Sequence, residues 1–240
     1  MDANLFLKKI GLKRELIEDY DEYPFSIDVV RNFEDIELSK PVTFFVGENG
    51  VGKSTFIEAL AVALNLNPEG GTQNFHFRTS DTHSELSEYL RLSKGVNPDN
   101  KFFLRAESFY NVASEIERLG AQVYYGGSLH ECSHGESFIR LIMNRFGDNG
   151  LYILDEPEAA LSPTRQMTLL CLIDDLVKRG CQFIIATHSP ILISYINGEI
   201  LDLNQGFKKV KYEETEIYQT YKMYLNNPYG MQRRLFNEEE

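Results

Sequence analysis

Residues 47–54 have the sequence GENGVGKS, which matches the G-x-x-x-x-G-K-[ST] pattern of a phosphate-binding loop. The residues before it, 42–46, are all β-branched or aromatic, as expected for a buried parallel strand, and residues 56–64 have the pattern of a helix. The glycines allow the turn to wrap closely and to aim backbone N–H groups at phosphate oxygens. Strand, loop and helix together predict a site for a nucleoside triphosphate.

The side chains of this loop have distinct expected roles. Lys53 would reach the β- and γ-phosphates of ATP, and the Ser54 hydroxyl would hold Mg²⁺. Tyr23, upstream of the loop, is placed where an aromatic ring can stack on a base, although a tyrosine packed in a loop is an alternative. The predicted ATP contacts in the loop are Asn49, Gly50, Gly52, Lys53, Ser54 and Thr55.

Two acids follow a second apolar run, residues 151–154. Asp155 would hold the Mg²⁺ shell, and Glu156 would take a proton from the attacking water or orient it. Two acids after a strand are ordinarily part of a solvated loop. The phosphate loop earlier in the chain favours the catalytic interpretation instead.

Composition indicates an α/β protein without extreme features. The 240 residues are 42% hydrophobic, which is enough for one large domain. The formal net charge is −12, from 24 Lys and Arg against 36 Asp and Glu, and this argues against a surface that coats nucleic acid broadly. The three cysteines lack zinc spacing, and neither a spanning segment nor a secretion signal is evident, so we expect a cytoplasmic protein.

Alternating strand and helix patterns predict a parallel sheet with its ligand at the carboxyl edge. The predicted strands are 5–12, 33–38, 42–46, 102–106, 151–154, 181–186, 200–203 and 209–212. The predicted helices are 56–64, 84–92, 109–119, 138–146, 163–178, 216–225 and 231–236. We expect one domain over 1–240, with an inserted lobe at about 65–101.

These motifs together resemble the ABC ATPase superfamily, most closely its soluble branch of SMC, Rad50 and RecF heads and the compact AAA-type ATPases of bacteria. Residues 47–55 match the form G-x-N-G-x-G-K-S-T, and SHGE at 133–136 stands where the superfamily has its signature, in a region of about 130–147. Residues 156–162 are similar to the segment from the catalytic glutamate into the D-loop, and ATHSP at 186–190 is similar to the switch histidine segment. The resemblance implies a P-loop head with a mostly parallel central sheet, antiparallel N-terminal strands and a small helical lobe.

The resemblance also implies a head-to-tail homodimer that sandwiches two ATP molecules. Ser133 and Gly135 would then contact the nucleotide of the other protomer, although an ordinary helix cap is the alternative for this segment. His188 would sense the γ-phosphate and act in catalysis beside Glu156.

The chain departs from the superfamily pattern at three places. His134 replaces the usual first glycine of the signature, and Ser162 stands at the D-loop aspartate position. The Q-loop glutamine has no obvious counterpart after residues 102–106, where Glu107, or less plausibly Gln73, takes its place.

Three functions accommodate these features. The first is an ATPase whose dimerisation switches an activity on DNA, RNA or a partner protein. The alternative is the nucleotide-binding subunit of a membrane ABC transporter, although such subunits more often carry a Gly-Gly-Gln signature. A small-molecule kinase would account for the phosphate loop, but it would leave the segments around Ser133 and His188 unexplained. No nuclease motif is evident, so genome maintenance and defence both stay open.

Overall fold

The computed structural model describes residues 5–68, 70–71, 85–118, 120 and 133–236. Its central sheet has six strands, which are β3 Val42–Val46, β5 Asn100–Arg105, β6 Gly150–Asp155, β7 Gln182–Ala186, β8 Gly198–Asp202 and β9 Lys208–Val210. They lie in the order β5-β6-β7-β3-β8-β9, in which the first five are parallel and β9 is antiparallel. The prediction of an α/β fold with a mostly parallel sheet is confirmed.

The central strands are buried on both faces, because a parallel sheet is covered by connections on each side. In β3, Phe44 packs into one hydrophobic core and Phe45 into the other. Because both faces are covered, residues 42–46 are apolar except for Thr43. Thr43 is also buried, and its hydroxyl donates to Glu199.

A three-stranded antiparallel sheet with the order β2-β1-β4 shares one of these cores. Its strands are β1 Leu7–Leu12, β2 Ile36–Glu37 and β4 Leu90–Lys94. The two sheets are joined by the buried side chain of Gln182, which hydrogen-bonds both backbone groups of Leu7. The prediction of antiparallel N-terminal strands is confirmed.

Helices cover both faces of the central sheet and close the chain. The helices are α1 Asp28–Arg31, α2 Lys53–Ala63, α3 Leu86–Tyr89, α4 Phe109–Arg118, α5 His134–Arg145, α6 Pro163–Lys178, α7 Glu216–Asn226 and α8 Pro228–Phe236. Within the described part of the chain, none is both long and apolar enough to cross a membrane.

The predicted helix over 84–92 is wrong beyond Tyr89, where α3 ends and strand β4 begins. β4 pairs with β1 from Leu12↔Leu90 to Leu7↔Lys94, and this tertiary pairing overrides the local helical pattern. The second half of the proposed lobe at 65–101 therefore contributes to the N-terminal sheet. Residues 72–84 lie outside the described residues, and the lobe boundary stays a prediction.

Candidate active site

The phosphate loop lies at the carboxyl end of β3 and leads directly into α2. Gly50 and Gly52 have φ values of +83° and +103°, in the left-handed region that favours glycine. A Cβ on Gly52 would lie 2.7 Å from Cγ1 of Val29. The backbone N–H of Glu48 donates to Oδ1 of Asn204 at 3.1 Å, which ties the loop to the turn after β8. Glycine is thus required at Gly52 by both conformation and space.

Lys53 is buried inside its own loop. Its Nζ donates to the backbone carbonyls of Gly47 and Glu48, both at 2.8 Å. Burial lowers the pKa of this ammonium, and the charges of Glu156 and Asp155 act in the opposite direction. Neutral carbonyls are weaker acceptors than phosphate oxygens, so the ammonium can exchange them for an anionic ligand.

Asp155 is the last residue of β6 and uses only one of its carboxylate oxygens. Oδ2 accepts a hydrogen bond from Nε of Arg105 at 2.9 Å, and Nη2 of Arg105 lies 3.1 Å from Oε2 of Glu58. Oδ1 is buried and has no hydrogen-bond partner among the described residues. Burial raises the pKa of Asp155 to about 6, against the opposing charge of Arg105.

Glu156 and His188 meet at the neighbouring ends of β6 and β7. Glu156 has a left-handed backbone with φ +48°, a conformation that costs a non-glycine residue about 1–2 kcal/mol. Its N–H donates to the carbonyl of Ala186 at 2.9 Å, and its Oε1 lies 3.7 Å from Nε2 of His188. Burial, together with the charge of Lys53, lowers the pKa of His188, so its imidazole is neutral near pH 7.

The oxygen atoms at this edge suit a magnesium ion. The unpartnered Oδ1 of Asp155 and the exposed hydroxyl of Ser54 are hard ligands of the kind that Mg²⁺ prefers. The described residues contain no cluster of three or more metal-binding side chains. A sparse protein ligand set fits an ion that also binds substrate phosphates.

The remaining predicted ATP contacts lie around the same loop. Asn49, Gly50 and Ser54 are exposed. The Tyr23 hydroxyl lies 3.5 Å from Oγ1 of Thr55 in the first turn of α2, and 65% of Tyr23 is exposed. Stacking of this ring on a base stays a prediction.

The signature segment packs on α6, and no hydrogen bond in the described parts of the chain joins it to the phosphate loop. Ser133 stands at the N-cap of α5, but its hydroxyl accepts no hydrogen bond from a backbone N–H of the described helix. The hydroxyl instead lies 3.5 Å from Nη2 of Arg165. A Cβ on Gly135 would lie 2.9 Å from the carbonyl oxygen of Ala160. Contact of Ser133 and Gly135 with the nucleotide of a second protomer stays a prediction.

Two departures from the superfamily pattern have structural counterparts. Ser162, at the D-loop aspartate position, caps α6 by accepting from the N–H of Arg165 at 3.4 Å. Glu107 follows β5 closely enough for its charge to contribute to the raised pKa of Asp155. Gln73 lies outside the described residues.

Three residues that contact the site were not singled out from the sequence: Arg105, Glu158 and Asn204. Arg105 ends β5 beside the end of β6, a position that becomes visible only when the strand order is known. Glu158 accepts hydrogen bonds from Thr187 and His188. Partners this far apart in the chain leave no local signal in the sequence.

Comparison with known proteins gives a consistent class. A family model described as "AAA domain" matches residues 24–142, and another AAA-domain model, whose description also names the AbiEii toxin of a type IV TA system, matches residues 129–194. The nucleoside import ATP-binding protein NupA of Lactococcus lactis is 24% identical over 75% of this chain, and an uncharacterized ABC transporter ATP-binding protein of Haemophilus influenzae is 29% identical over 68%.

The alignments cover 41% of the length of NupA and 69% of the Haemophilus protein. The SMC head domain from Thermotoga maritima aligns with a TM-score of 0.43 and 17% identity, over 82% of this chain and 95% of that one. ATPases of the AAA and ABC classes generally use Mg²⁺ with ATP. The chain binds and hydrolyses ATP, as its phosphate loop and the acids after β6 indicate, and it is similar to ATPases of the AAA and ABC classes.

Proposed function

We propose that this chain is an ATPase head that hydrolyses Mg²⁺-ATP within a head-to-tail dimer. The observation that carries the proposal is the arrangement of Lys53, Asp155, Glu156 and His188 at the carboxyl ends of the adjacent strands β3, β6 and β7. Parallel α/β sheets bind their ligands at this edge.

Each of these residues has a role set by its surroundings. Lys53 would neutralise charge on the β- and γ-phosphates, and Asp155 with Ser54 would hold Mg²⁺. The ion, when bound, would neutralise charge on phosphate oxygens. Glu156 would accept a proton from the attacking water, while the neutral imidazole of His188, 3.7 Å away, would contact the γ-phosphate.

The dimer is supported by the state of the signature segment. The hydroxyl of Ser133 serves no N–H of α5 within the described part of the chain, and Ser133 is exposed. The hydroxyl's only hydrogen bond in that part of the chain, from Nη2 of Arg165 at 3.5 Å, is exposed and would give way to a nucleotide presented by a second protomer, together with the backbone at Gly135. The dimer would switch an activity on nucleic acid or on a partner protein, and the type IV toxin–antitoxin description favours a defence role.

A second candidate is the ATP-binding subunit of a membrane transporter. The names of the related import proteins favour it. Purification of the tagged native protein, with identification of bound protein and nucleic acid, separates the two: a co-purifying permease supports the transporter, and a soluble effector or nucleic acid supports the switch.

The dimer is tested with Glu156→Gln, which would keep Mg²⁺-ATP bound and lose the base. Loss of a general base costs about 10²–10⁴-fold in rate, so the variant would accumulate as an ATP-bound dimer. Size-exclusion chromatography with light scattering, with and without ATP, measures this. A monomer under both conditions contradicts the dimer.

Ser133→Arg in the Glu156→Gln background places a bulky cation at the proposed contact. We expect it to abolish dimerisation while the ATP affinity of the monomer is unchanged, because Ser133 forms no hydrogen bond with its own phosphate loop among the described residues. Ser93→Arg, at an exposed serine of β4 in the other sheet, is the matched control and should still dimerise.

A further inference from the structure

Glu158 connects the turn after β6 to the segment after β7. It lies in the 3₁₀ turn Pro157–Ala160, two residues beyond Glu156, and it is half-buried. Its Oε2 accepts a hydrogen bond from Oγ1 of Thr187 at 2.7 Å, and its Oε1 accepts from the backbone N–H of His188. One carboxylate thus binds two consecutive residues of the neighbouring strand end.

The position of this carboxylate follows from the end of the β-ladder. The pairing of β6 with β7 stops at Asp155↔Ala186. Beyond it, the N–H of Thr187 donates to the carbonyl of Phe45 at 3.2 Å, but among the described residues the N–H of His188 is paired with no strand. Glu158 supplies the acceptor that a further strand residue would have supplied.

The rest of the segment is equally constrained. Oγ1 of Thr187 accepts from the N–H of Ser189 at 3.0 Å, and the Ser189 hydroxyl donates to Oε1 of Gln166 on α6. Thr187 is fully buried. The backbone that carries His188 is therefore held on both sides by groups from the turn and helix that follow the catalytic acids.

The surroundings of Glu158 disfavour its charged form. Burial raises the pKa of Glu158, although the hydrogen bonds from His188 and Thr187 oppose that effect, and the nearby charge of Glu156 raises it further. A second acid placed beside the catalytic one is disfavoured by repulsion. A charged acceptor holds its donors more tightly than a neutral one, which suits a precise alignment.

We propose that Glu158 is a positioning residue for His188, whose backbone it holds so that the imidazole stays beside Glu156 and the γ-phosphate. The inference rests on the proposed role of His188 in ATP hydrolysis. Glu158 acts through the segment 187–188, to which both of its carboxylate oxygens are hydrogen-bonded.

The test is a double-mutant cycle on kcat and on KM for ATP. We expect His188→Ala to lower kcat about 10²–10³-fold, as for the loss of one group that stabilises the transition state. Glu158→Ala should lower kcat about 10–10²-fold through misplacement of the imidazole, with KM little changed. In the double variant, kcat should be no lower than in His188→Ala alone.

If Glu158 had a merely structural role, the kcat loss of the double variant would be the product of the losses of the two single variants. That outcome would overturn the proposal, and so would a full kcat in Glu158→Ala. Full activity in His188→Ala would instead overturn the proposed role of His188 itself. If His188→Ala has a low kcat and Glu158→Ala is fully active, only the positioning role is contradicted, and the proposed function is not.

Two conservative variants keep the test decisive if Glu158→Ala does not fold. Glu158→Gln keeps the shape and one acceptor and should restore part of kcat. Thr187→Val removes one donor and should lower kcat only when His188 is present. A kcat loss of equal factor with and without His188 contradicts the proposal.

The matched control is Glu199→Ala. Glu199 is also a buried carboxylate that accepts from consecutive backbone N–H groups, those of Ser39 and Lys40, but it lies at the opposite end of β3. Its loss should lower the melting temperature and leave kcat unchanged. A kcat loss there equal to that of Glu158→Ala would show general destabilisation and overturn the positioning role.

Discussion

Lys53 is one of several side chains in this site whose polar atoms have weak hydrogen bonds or none among the described residues. Its ammonium contacts two neutral carbonyls of its own loop. In the described part of the chain, neither Oδ1 of Asp155 nor Nε2 of His188 has a hydrogen-bond partner, although Nε2 lies 3.7 Å from Oε1 of Glu156. Buried polar atoms without partners are costly. Their concentration at one sheet edge is what a site completed by Mg²⁺-ATP requires.

We expect Lys53→Ala to abolish detectable ATP binding, because the phosphate charge would lose its buried cation in a chain of net charge −12. Isothermal titration calorimetry with ATP measures this. Lys101→Ala is the control: Lys101 also donates to a backbone carbonyl, that of Leu64, but it lies near the start of β5, and ATP binding should persist. Undiminished ATPase activity in Lys53→Ala would contradict the assigned site.

The raised pKa of Asp155 predicts a pH dependence of Mg²⁺ binding. Its folded pKa of about 6 lies above the ordinary value of 3.8, so the protein without ligand holds a proton there below pH 6 and must release it to bind the ion. The apparent Mg²⁺ affinity in the presence of ATP should fall about tenfold per pH unit below pH 6. A flat Mg²⁺ profile from pH 7.5 to 5 would contradict the prediction.

At the scale of the elements, the side chain of Gln182 makes the hydrogen bonds that a neighbouring strand would otherwise make at the junction of the two sheets. Gln182 is 1% exposed, and its amide accepts from the N–H of Leu7 at 2.9 Å and donates to the carbonyl of Leu7 at 2.8 Å. The amide therefore satisfies both backbone groups of a buried residue in β1.

Gln182→Leu should lower the free energy of unfolding by about 2–6 kcal/mol, because it leaves two buried backbone groups unpaired and each costs about 1–3 kcal/mol. Urea denaturation measures the loss. Gln219→Leu, which removes a single exposed hydrogen bond to the carbonyl of Glu213, should change stability by less than about 0.5 kcal/mol. Equal effects of the two substitutions would show that the junction contributes little.

At the scale of the whole molecule, the charge distribution limits contact with nucleic acid. Several basic side chains that could form a patch are already engaged: Arg31 with Asp21, Arg91 with Asp35 and Lys209 with Glu199. These pairs lower the positive charge available for phosphate contacts on a chain of net charge −12.

We predict that the nucleotide-free chain binds duplex DNA poorly at physiological salt, and that tight binding needs the ATP dimer or a second protein. A handful of phosphate contacts gives weak binding that falls steeply with salt. Fluorescence anisotropy of labelled duplex with Glu156→Gln, with and without ATP over a salt series, tests this. Tight, salt-insensitive binding by the nucleotide-free chain would contradict it.

The sequence by itself determined the fold class, the phosphate loop, the acids after β6 and helix 163–178, because each depends on interactions among neighbouring residues. Periodicity, turn chemistry and the spacing of the loop are local and are therefore visible in a single chain. His188 could be named as a candidate because ATHSP at 186–190 resembles the switch histidine segment of the superfamily.

Only the tertiary structure decided which distant groups meet. Residues 90–92 belong to the predicted helix 84–92, but they lie in β4 because β1 offers an edge with which they pair. Arg105 reaches Asp155 because β5 lies beside β6, and Glu158 reaches His188 because β6 lies beside β7. These contacts depend on the strand order. The strand order results from the burial of whole elements against one another, so it cannot be predicted from any short segment of the sequence.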